Sequence, residues 1–417
     1  MTSLLRHPKF LYLWRAQTIS VFGSQITTLA LPLTAALTLH ATPLEMGLLA
    51  AALTLPIPLF ALFAGVLTDR LRRRPLLIGT DLLRALFLTV VPTAALFHLL
   101  NIPLLALLGF LAGTCSIVFD VAYQPYLSSV IRPDQLVEGN GKLEASSALA
   151  AVAGPGLAGA LVTLLGAPMA VAVDALSFIA SALLLGRVQQ AEHVSAPMHH
   201  RSSVWQEIQE GLSLVLGHEL LRPLALFSAM FNFFGKVVEV SLILFATRTL
   251  GLSAALLGLI FAAEGMGGLL GAALPGWSLR RFGLGRTLVA STCVMGAASV
   301  AFPLAGGPVW AATLMLGTGL FIQGLSSVVY RVQQLSLRQL VTPSRLLGRM
   351  NASTRFLTWG VIPLGALAGG TLGQATSLRL AVGVGALGCA LSFLWLVFSP
   401  VPRLRTLPVA GEADVSA

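Results

Sequence analysis

Four ionisable residues lie inside long apolar stretches of this sequence, where a charge is costly. They are Asp174, Lys236, Glu239 and Glu264. An ionisable group at the centre of a bilayer costs about 2.5–3.5 kcal/mol on insertion scales, so each of them needs a reason to be there. The chemistry open to such groups is proton exchange, ion pairing or the binding of a charged ligand.

Glu264 is the first candidate for proton exchange. Several glycines follow it, namely Gly265, Gly267, Gly268 and Gly271. Small residues let a second helix approach closely, which would shield the carboxyl from lipid. A carboxyl shielded in this way can exchange protons near neutral pH, and no cation is its obvious local partner.

The other three residues leave two interpretations open. Lys236 and Glu239 are three positions apart, so on a helix they share a face and can pair. Such a pair would either rigidify the protein or line a cavity. Asp174 lies about a third of the way into its apolar stretch, so it is a third candidate proton carrier or a group that reaches water.

The composition is that of a protein solvated by lipid. Of 417 residues, 56% are hydrophobic and 10% are charged, against about 25% in a soluble domain. The net charge of +10 does not indicate nucleic acid, because the basic residues fall in short segments between apolar runs. We expect no cofactor, metal site or enzymatic activity, since nucleotide-binding loops, catalytic triads and metal-ligand spacings are missing from the sequence.

Twelve apolar runs are long enough for transmembrane helices, which need about 20 residues each. We therefore predict an all-α membrane protein. The predicted helices cover residues 12–38, 45–68, 75–99, 102–127, 142–166 and 167–187 in the first half, and 222–247, 252–276, 286–305, 308–332, 348–374 and 376–398 in the second.

The distribution of basic residues predicts the orientation. Four arginines lie between positions 70 and 74, whereas the predicted outer loops hold only Arg248 and Arg379. Short cytoplasmic loops carry the excess of Lys and Arg, so both termini are expected in the cytoplasm. Arg84 and Arg355 are near cytoplasmic helix ends, where they are expected to extend towards water in a structural role.

A polar segment divides the chain. We predict an N-terminal six-helix half at 1–187, a cytoplasmic linker at 188–221, a C-terminal six-helix half at 222–400 and a cytoplasmic tail at 401–417. Within the linker, apolar residues recur at helical spacing, which predicts a surface helix. They are Val204, Ile208, Leu212 and Val215.

The two halves resemble each other. Matching residues recur at offsets of 207 to 212 positions, which predicts a duplicated six-helix unit. The matches are Phe22-Gly23 with Phe234-Gly235, Gly65 and Arg70 with Gly276 and Arg281, Tyr123 with Tyr330, and Pro155 with Pro363.

The segment after the second predicted helix resembles the signature of the major facilitator superfamily. It reads Gly65-x-x-x-Asp69-Arg70-x-x-Arg73-Arg74, and Asp81-Leu82-Leu83-Arg84 beside it resembles the drug-exporter branch that includes macrolide and enterobactin exporters. The opening 10–17 and the run 120–159 resemble that branch too. The resemblance implies the major facilitator fold, as a monomer in the bacterial inner membrane.

In this superfamily the signature loop acts as a conformational latch. Carried over to this chain, Gly65 allows close helix approach and Asp69 faces the start of helix eleven near 348–351, where the helix dipole favours an anion. Arg73 would pair with Asp120 on helix four. Arg70, Asp81 and Arg84 belong to the same latch by resemblance.

Helix five carries Gly154-Pro155-x-x-x-Gly159, which resembles a motif of antiporting exporters. Proline removes a backbone donor and bends a helix, while the glycines allow close packing, so a simple kink is the alternative interpretation. Helix one has no acidic residue, and Gln25 is its candidate for the substrate cavity.

The resemblance implies a secondary active transporter that exports a small amphipathic compound by alternating access, driven by protons. The expected partners are this substrate, protons and the lipid bilayer. A siderophore exporter and a lysophospholipid flippase are the alternatives within transporters. A membrane receptor or assembly factor that transports nothing is the alternative from another class.

Overall fold

The computed structural model describes Leu4 and residues 7–60, 71–132, 135–188, 204–343 and 346–404, with backbone alone for 204–208. All regular secondary structure in these residues is helical. Twelve of the helices in this described part are long and apolar enough to cross a membrane. The predicted all-α fold with twelve membrane helices is therefore confirmed.

The membrane helices are labelled α1 to α12 here. They are α1 Pro8–Thr38, α2 Pro43–Phe60, α3 Arg73–Leu96, α4 Ile102–Val130, α5 Leu136–Leu165, α6 Ala167–Gly186, α7 Leu221–Thr249, α8 Ala254–Gly271, α9 Leu284–Leu304, α10 Val309–Val341, α11 Leu347–Ala375 and α12 Leu378–Val397.

The largest extensions beyond the predicted helices occur in α5 and α10. Helix α5 begins at Leu136 rather than at 142, and α10 continues to Val341 rather than ending at 332. Both extensions carry charged residues, including Glu138 and Arg338. A hydropathy criterion ends a helix where polar residues begin, but the backbone hydrogen bonds of a helix continue equally well into water.

Local sequence explains where several helices begin. Thr42 and Glu45 form a reciprocal capping box at the start of α2, with the Thr42 amide donating to Glu45 Oε2 at 2.7 Å. The Asn101 side chain accepts a hydrogen bond from the Leu104 amide at 2.9 Å, which caps α4. Gly166, at φ 85°, makes the abrupt joint between α5 and α6 that few other residues would allow.

The chain forms two compact units. Unit 1 comprises Met1–Met198 with Leu252–Ala262, and unit 2 comprises His199–Gly251 with Ala263–Ala417. In unit 1, α6 packs against α1 and α3, and α3 also packs against α4. In unit 2, α7 packs against α11 and α12, and α9 packs against α10.

The backbone repeats between the two halves. Helix α1 ends in a short π-helical segment, Thr34–Thr38, and α7 ends in the π-helical segment Phe245–Thr249. Each segment is followed by a residue with positive φ, His40 at 51° and Gly251 at 66°. A second such pair follows, His98 at 55° and Gly307 at 78°. These offsets of 211 and 209 positions support the predicted duplication.

The helix expected in the linker is present as Val204–Gly217. In unit 2 it packs against the first part of α11. Gly211 lies so close that an added Cβ would come within 2.5 Å of the Arg349 carbonyl oxygen. Glu210 forms an ion pair with the Arg349 side chain, and Val215 is buried. Its apolar side is therefore at least partly covered by protein.

Candidate functional site

Two groups of ionisable residues lie within the membrane helices. The N-terminal charge cluster consists of Asp81, Arg84 and Asp174 in unit 1. The C-terminal charge group consists of Lys236, Glu239 and Glu264 in unit 2. The structure thus brings Asp174 together with two residues that the sequence assigned to a latch.

The N-terminal charge cluster is built around an ion pair on α3. Arg84 Nη2 contacts Asp81 Oδ1, one helical turn earlier. The whole of Asp81 is shielded, at 0% exposure, and Arg84 is 4% exposed. Burying a charge without a partner is very costly, so the Arg84 guanidinium needs a carboxylate beside it wherever it is enclosed.

Aromatic rings hold Arg84 in place. Its guanidinium carbon lies 4.5 Å from the centre of the Phe119 ring on α4 and 4.1 Å from that of Phe178 on α6. These distances suit cation–π attraction. Its Nη1 donates to the Ser116 hydroxyl at 3.5 Å. The expectation that Arg84 extends towards water is therefore wrong, because three helices enclose its side chain.

Asp174 is enclosed as well. It is 1% exposed, so it does not reach water as one interpretation allowed. The Ser177 hydroxyl donates to its Oδ1 at 2.9 Å, and the Thr27 hydroxyl of α1 lies beside it. Gly23 packs directly over this carboxyl, since a Cβ at that position would come within 2.4 Å of Oδ1.

Two buried polar atoms of this cluster have no hydrogen-bond partner within the described residues, namely Oδ2 of Asp81 and Nε of Arg84. The Ser181 and Thr27 hydroxyls lie within hydrogen-bonding reach of Asp81 and Asp174, respectively. Buried polar groups in proteins are nearly always satisfied, so each such atom calls for an explanation. Asp81 Oδ2 thus lacks a donor, and Arg84 Nε lacks an acceptor.

The C-terminal charge group is more open. Lys236 Nζ lies 2.7 Å from Glu239 Oε1, so the ion pair that the spacing predicted is present. The Lys236 side chain is 14% exposed and that of Glu239 is 49% exposed. Glu239 thus presents part of its carboxylate outside the body of unit 2.

Glu264 lies where α8 and α10 approach each other most closely. An added Cβ at Gly267 would come within 2.0 Å of the Phe321 carbonyl oxygen, and one at Gly324 within 2.1 Å of that of Glu264. The close approach that the glycines predicted is therefore confirmed. No hydrogen bond or ion pair to the Glu264 carboxyl occurs in the described part of the chain, although Glu239 repels its charge and Arg331 attracts it.

The glycine-proline segment of α5 also makes close contacts. Gly154 packs against Gln25 of α1, where an added Cβ would come within 2.4 Å of the Gln25 Cβ. Gly159 packs backbone to backbone against Gly258, also in unit 1. Helix α5 continues without a break through Pro155, whereas its counterpart α11 is interrupted just before Pro363.

Part of the expected latch lies outside the described residues, namely Gly65, Asp69 and Arg70. Arg73 is described, and its Nη1 donates to the Pro125 carbonyl oxygen of α4 at 3.5 Å. The pairing of Arg73 with Asp120 stays a prediction.

Sequence reasoning missed the residues that surround the charges. Ser177 and Ser181 follow Asp174 at three and seven positions, a spacing that places all three on one helix face. That pattern could have shown a polar face on α6. The contributions of Ser116 and Phe119 depend on packing between helices, and no sequence signal indicated them.

Twelve apolar helices in two repeated halves, with ionisable side chains enclosed among them, define a multi-pass integral membrane protein. A model of the Major Facilitator Superfamily matches residues 13–361, and the chain belongs to this superfamily of transporters.

Two curated relatives match almost the whole chain. The multidrug efflux pump Tap of Mycolicibacterium fortuitum is 28% identical over 422 residues, covering 99% of this chain and 100% of that protein. The uncharacterized MFS-type transporter YfiS of Bacillus subtilis (strain 168) is 26% identical, covering 94% of this chain and 93% of that one.

Solved structures show the same fold. A mutant of the nucleoside transporter NupG has a TM-score of 0.76 at 12% identity, covering 93% of this chain and 99% of that one. A bacterial homologue of the iron transporter ferroportin, in its inward-facing state, has a TM-score of 0.73 at 19% identity, covering 95% and 99%.

Proposed function

We propose that the protein is a secondary active transporter that exports a small amphipathic compound in exchange for protons. The observation that carries the proposal is Glu264, a carboxyl within a membrane helix that forms no ion pair in the described part of the chain. A carboxylate in that position is costly unless it binds a proton or a cationic ligand. Exchange of one for the other is the elementary step of antiport.

The open Lys236–Glu239 pair supplies the second element of the proposal. Glu239 is half exposed and interacts electrostatically with Glu264, so a cationic substrate near Glu239 would compete with the proton on Glu264. A positive charge stabilises a nearby carboxylate and so favours release of its proton. We propose Glu264 and Glu239 as proton carriers, and Lys236 and Gln25 as substrate-binding residues.

The proposed direction of transport, export, is based on similarity to known exporters. The relative named Tap is a multidrug efflux pump, and the Gly154-Pro155-Gly159 segment resembles that of antiporting exporters. We propose alternating access as the mechanism, with the Gly65–Arg73 loop, Asp81, Arg84 and Asp120 acting as its latch. The proposal includes a monomer in the bacterial inner membrane with both termini in the cytoplasm, and two six-helix halves at 1–187 and 222–400 connected by the linker 188–221.

The test is proton movement across a membrane that contains only this protein. Purified protein would be reconstituted in liposomes with a trapped pH dye, and a proton gradient would be imposed. A panel of lipophilic cations, a macrolide and a catechol siderophore would then be added. Proton flux triggered by one compound would support antiport and identify the substrate class. If no compound triggers proton flux although binding is still detectable, the result would favour a uniporter, a lipid flippase or a receptor.

The variant Glu264→Gln tests the residue. It removes the titratable proton while preserving shape, so we expect pH-driven transport to be lost with folded protein still in the membrane. Glu219→Gln makes the same chemical change at an exposed position outside the membrane helices and should transport normally. Full transport by Glu264→Gln would remove Glu264 from the mechanism.

A further inference from the structure

The N-terminal charge cluster has an unbalanced charge. It contains two carboxyl groups and one guanidinium, and all three residues are at least nine-tenths buried. With every group ionised, the cluster would carry one uncompensated negative charge in a region closed to water. Arginine stays protonated under all physiological conditions, whereas a proton on one carboxyl would remove that charge.

The geometry distinguishes the two carboxyl groups. Asp81 is in direct contact with Arg84 through Oδ1, whereas no ion pair to Asp174 within 4 Å is found among the described residues. Asp174 is close enough to Arg84 to be attracted and close enough to Asp81 to be repelled. Its direct hydrogen-bond partner is the Ser177 hydroxyl. A hydroxyl can donate to a carboxylate or accept from a carboxylic acid, so this partner suits both states.

We propose that Asp174 binds a proton while Arg84 pairs with Asp81, and that Arg84 shifts towards Asp174 when that proton leaves. The proposal deepens the proton coupling proposed above and rests on it for its role in transport. It assigns to the N-terminal unit a proton site of its own, formed between α3 and α6.

The unsatisfied atoms around the cluster fit such a shift. Asp81 Oδ2 and Arg84 Nε are buried and lack partners in the described residues, so the present arrangement uses only part of the available hydrogen-bonding capacity. The Ser181 hydroxyl already lies within hydrogen-bonding reach of Asp81 and can stay with that carboxylate when Arg84 moves. The cluster therefore has the groups for a second arrangement.

The neighbours of Asp174 contain few other charges that could intervene. Helix α3 contributes Asp81 and Arg84, α1 contributes the neutral Thr27 hydroxyl, and α5 contributes no ionisable group that interacts with this carboxyl. The Cys115 thiol of α4 interacts with Arg84. Because the carboxyl is closed to water, exchange of its proton requires helices to move apart, and this requirement would link protonation to conformation.

Infrared spectroscopy of the purified protein tests the proposal without any substrate. A protonated carboxyl gives a separate carbonyl-stretching band, and isotope-labelled aspartate shifts that band only if it arises from Asp. On titration from mildly alkaline to mildly acidic pH, we expect an Asp-derived band in the wild type. It should be missing from Asp174→Asn and retained in Glu264→Gln. Asp414→Asn, near the end of the chain, is the matched control and should keep it.

A second variant tests the role of Arg84 without changing Asp174. In Asp81→Asn the guanidinium loses its carboxylate partner and can pair with Asp174, so the Asp-derived band should vanish or move to more acidic pH. An Asp-derived band that persists unchanged in Asp174→Asn would overturn the proposal. So would an unchanged titration in Asp81→Asn. The isotope shift in the wild type needs no variant, and its absence would count equally against the idea.

Transport measurements separate this proposal from the wider one. With a substrate identified, Asp174→Asn should retain counterflow and lose accumulation driven by a pH gradient. If no substrate moves protons through the wild type, antiport fails but the infrared result still decides whether Asp174 binds a proton. If antiport holds and the band does not depend on Asp174, the proton site in the N-terminal unit is wrong.

Discussion

The two groups of membrane-embedded charges are balanced in different ways. In the N-terminal charge cluster, Arg84 is fixed by a carboxylate and two aromatic rings inside a closed set of helices. In the C-terminal charge group, Lys236 and Glu239 form a pair that is partly exposed, and Glu264 stands apart from it. Enclosed side chains can hold a charge away from water, whereas a partly exposed ion pair is accessible to a charged ligand.

The largest difference should appear when each cation is removed. Arg84→Met leaves buried carboxylates without their partner, and breaking a buried pair in this way costs about 3–5 kcal/mol. Lys236→Met breaks a pair whose carboxylate side chain is half exposed, so its cost should be smaller. Thermal unfolding of the two variants in the same detergent compares them directly.

Arg84→Lys provides the control for this comparison. It keeps the positive charge but loses the planar group that stacks on the rings, so its loss of stability should fall between the other two. Equal destabilisation by Arg84→Met and Lys236→Met would show that the closed and open clusters are not energetically different.

A smaller effect is expected at the glycine contact beside Glu264. In Gly324→Ala the new methyl group would meet the Glu264 carbonyl oxygen at 2.1 Å, and backbone cannot move aside as a side chain can. Overpacking of this kind costs about 1–3 kcal/mol. Gly317→Ala, on the same helix, has no atom within 4 Å of the new methyl and should be neutral or slightly stabilising. If the two variants unfold at the same temperature, α8 and α10 are not in firm contact.

The smallest effect is the contribution of His218 to the pH dependence of folding stability. This residue lies outside the membrane helices. Burial lowers the pKa of its imidazole, although Glu219 opposes this shift, and its Nδ1 accepts a hydrogen bond from the Leu220 amide at 3.1 Å. The folded protein therefore binds this proton less readily than the unfolded chain, so stability should fall as pH decreases through about 6.5.

His218→Gln should show a smaller drop in melting temperature between neutral and mildly acidic pH than the wild type does. The acid sensitivity that remains in His218→Gln then comes from other groups. A drop equal to that of the wild type would mean that His218 does not contribute to the pH dependence of folding.

The helices are predictable from sequence because their cause is local. About 20 apolar residues in succession are sufficient for a membrane helix, and the caps at Thr42 and Asn101 show how single residues set the helix starts. The predicted end of α10 is wrong because helix continuation past the apolar run has no hydropathy signal. The spacing of Lys236 and Glu239 predicts their contact, since a helix brings such residues together without help from other elements.

The environment of Arg84 could not be predicted, because it depends on which helices become neighbours. Its distance from a predicted helix end suggested a side chain extended towards water. Instead, Phe119 and Phe178 are brought to it from helices that lie far away in sequence. Apolar positions in membrane helices look alike in sequence whether they face lipid or protein. The sequence therefore does not show which aromatic residues surround Arg84.

The matched helix ends have a consequence for how the two halves should be compared. His40 in one half and Gly251 in the other occupy equivalent positions. Both have a positive φ, and both follow a π-helical segment at the end of a helix. At this position the two halves thus share a positive φ although their side chains differ. The two halves can therefore be aligned on these helix ends, which would pair equivalent residues even where the sequence identity between the halves is low.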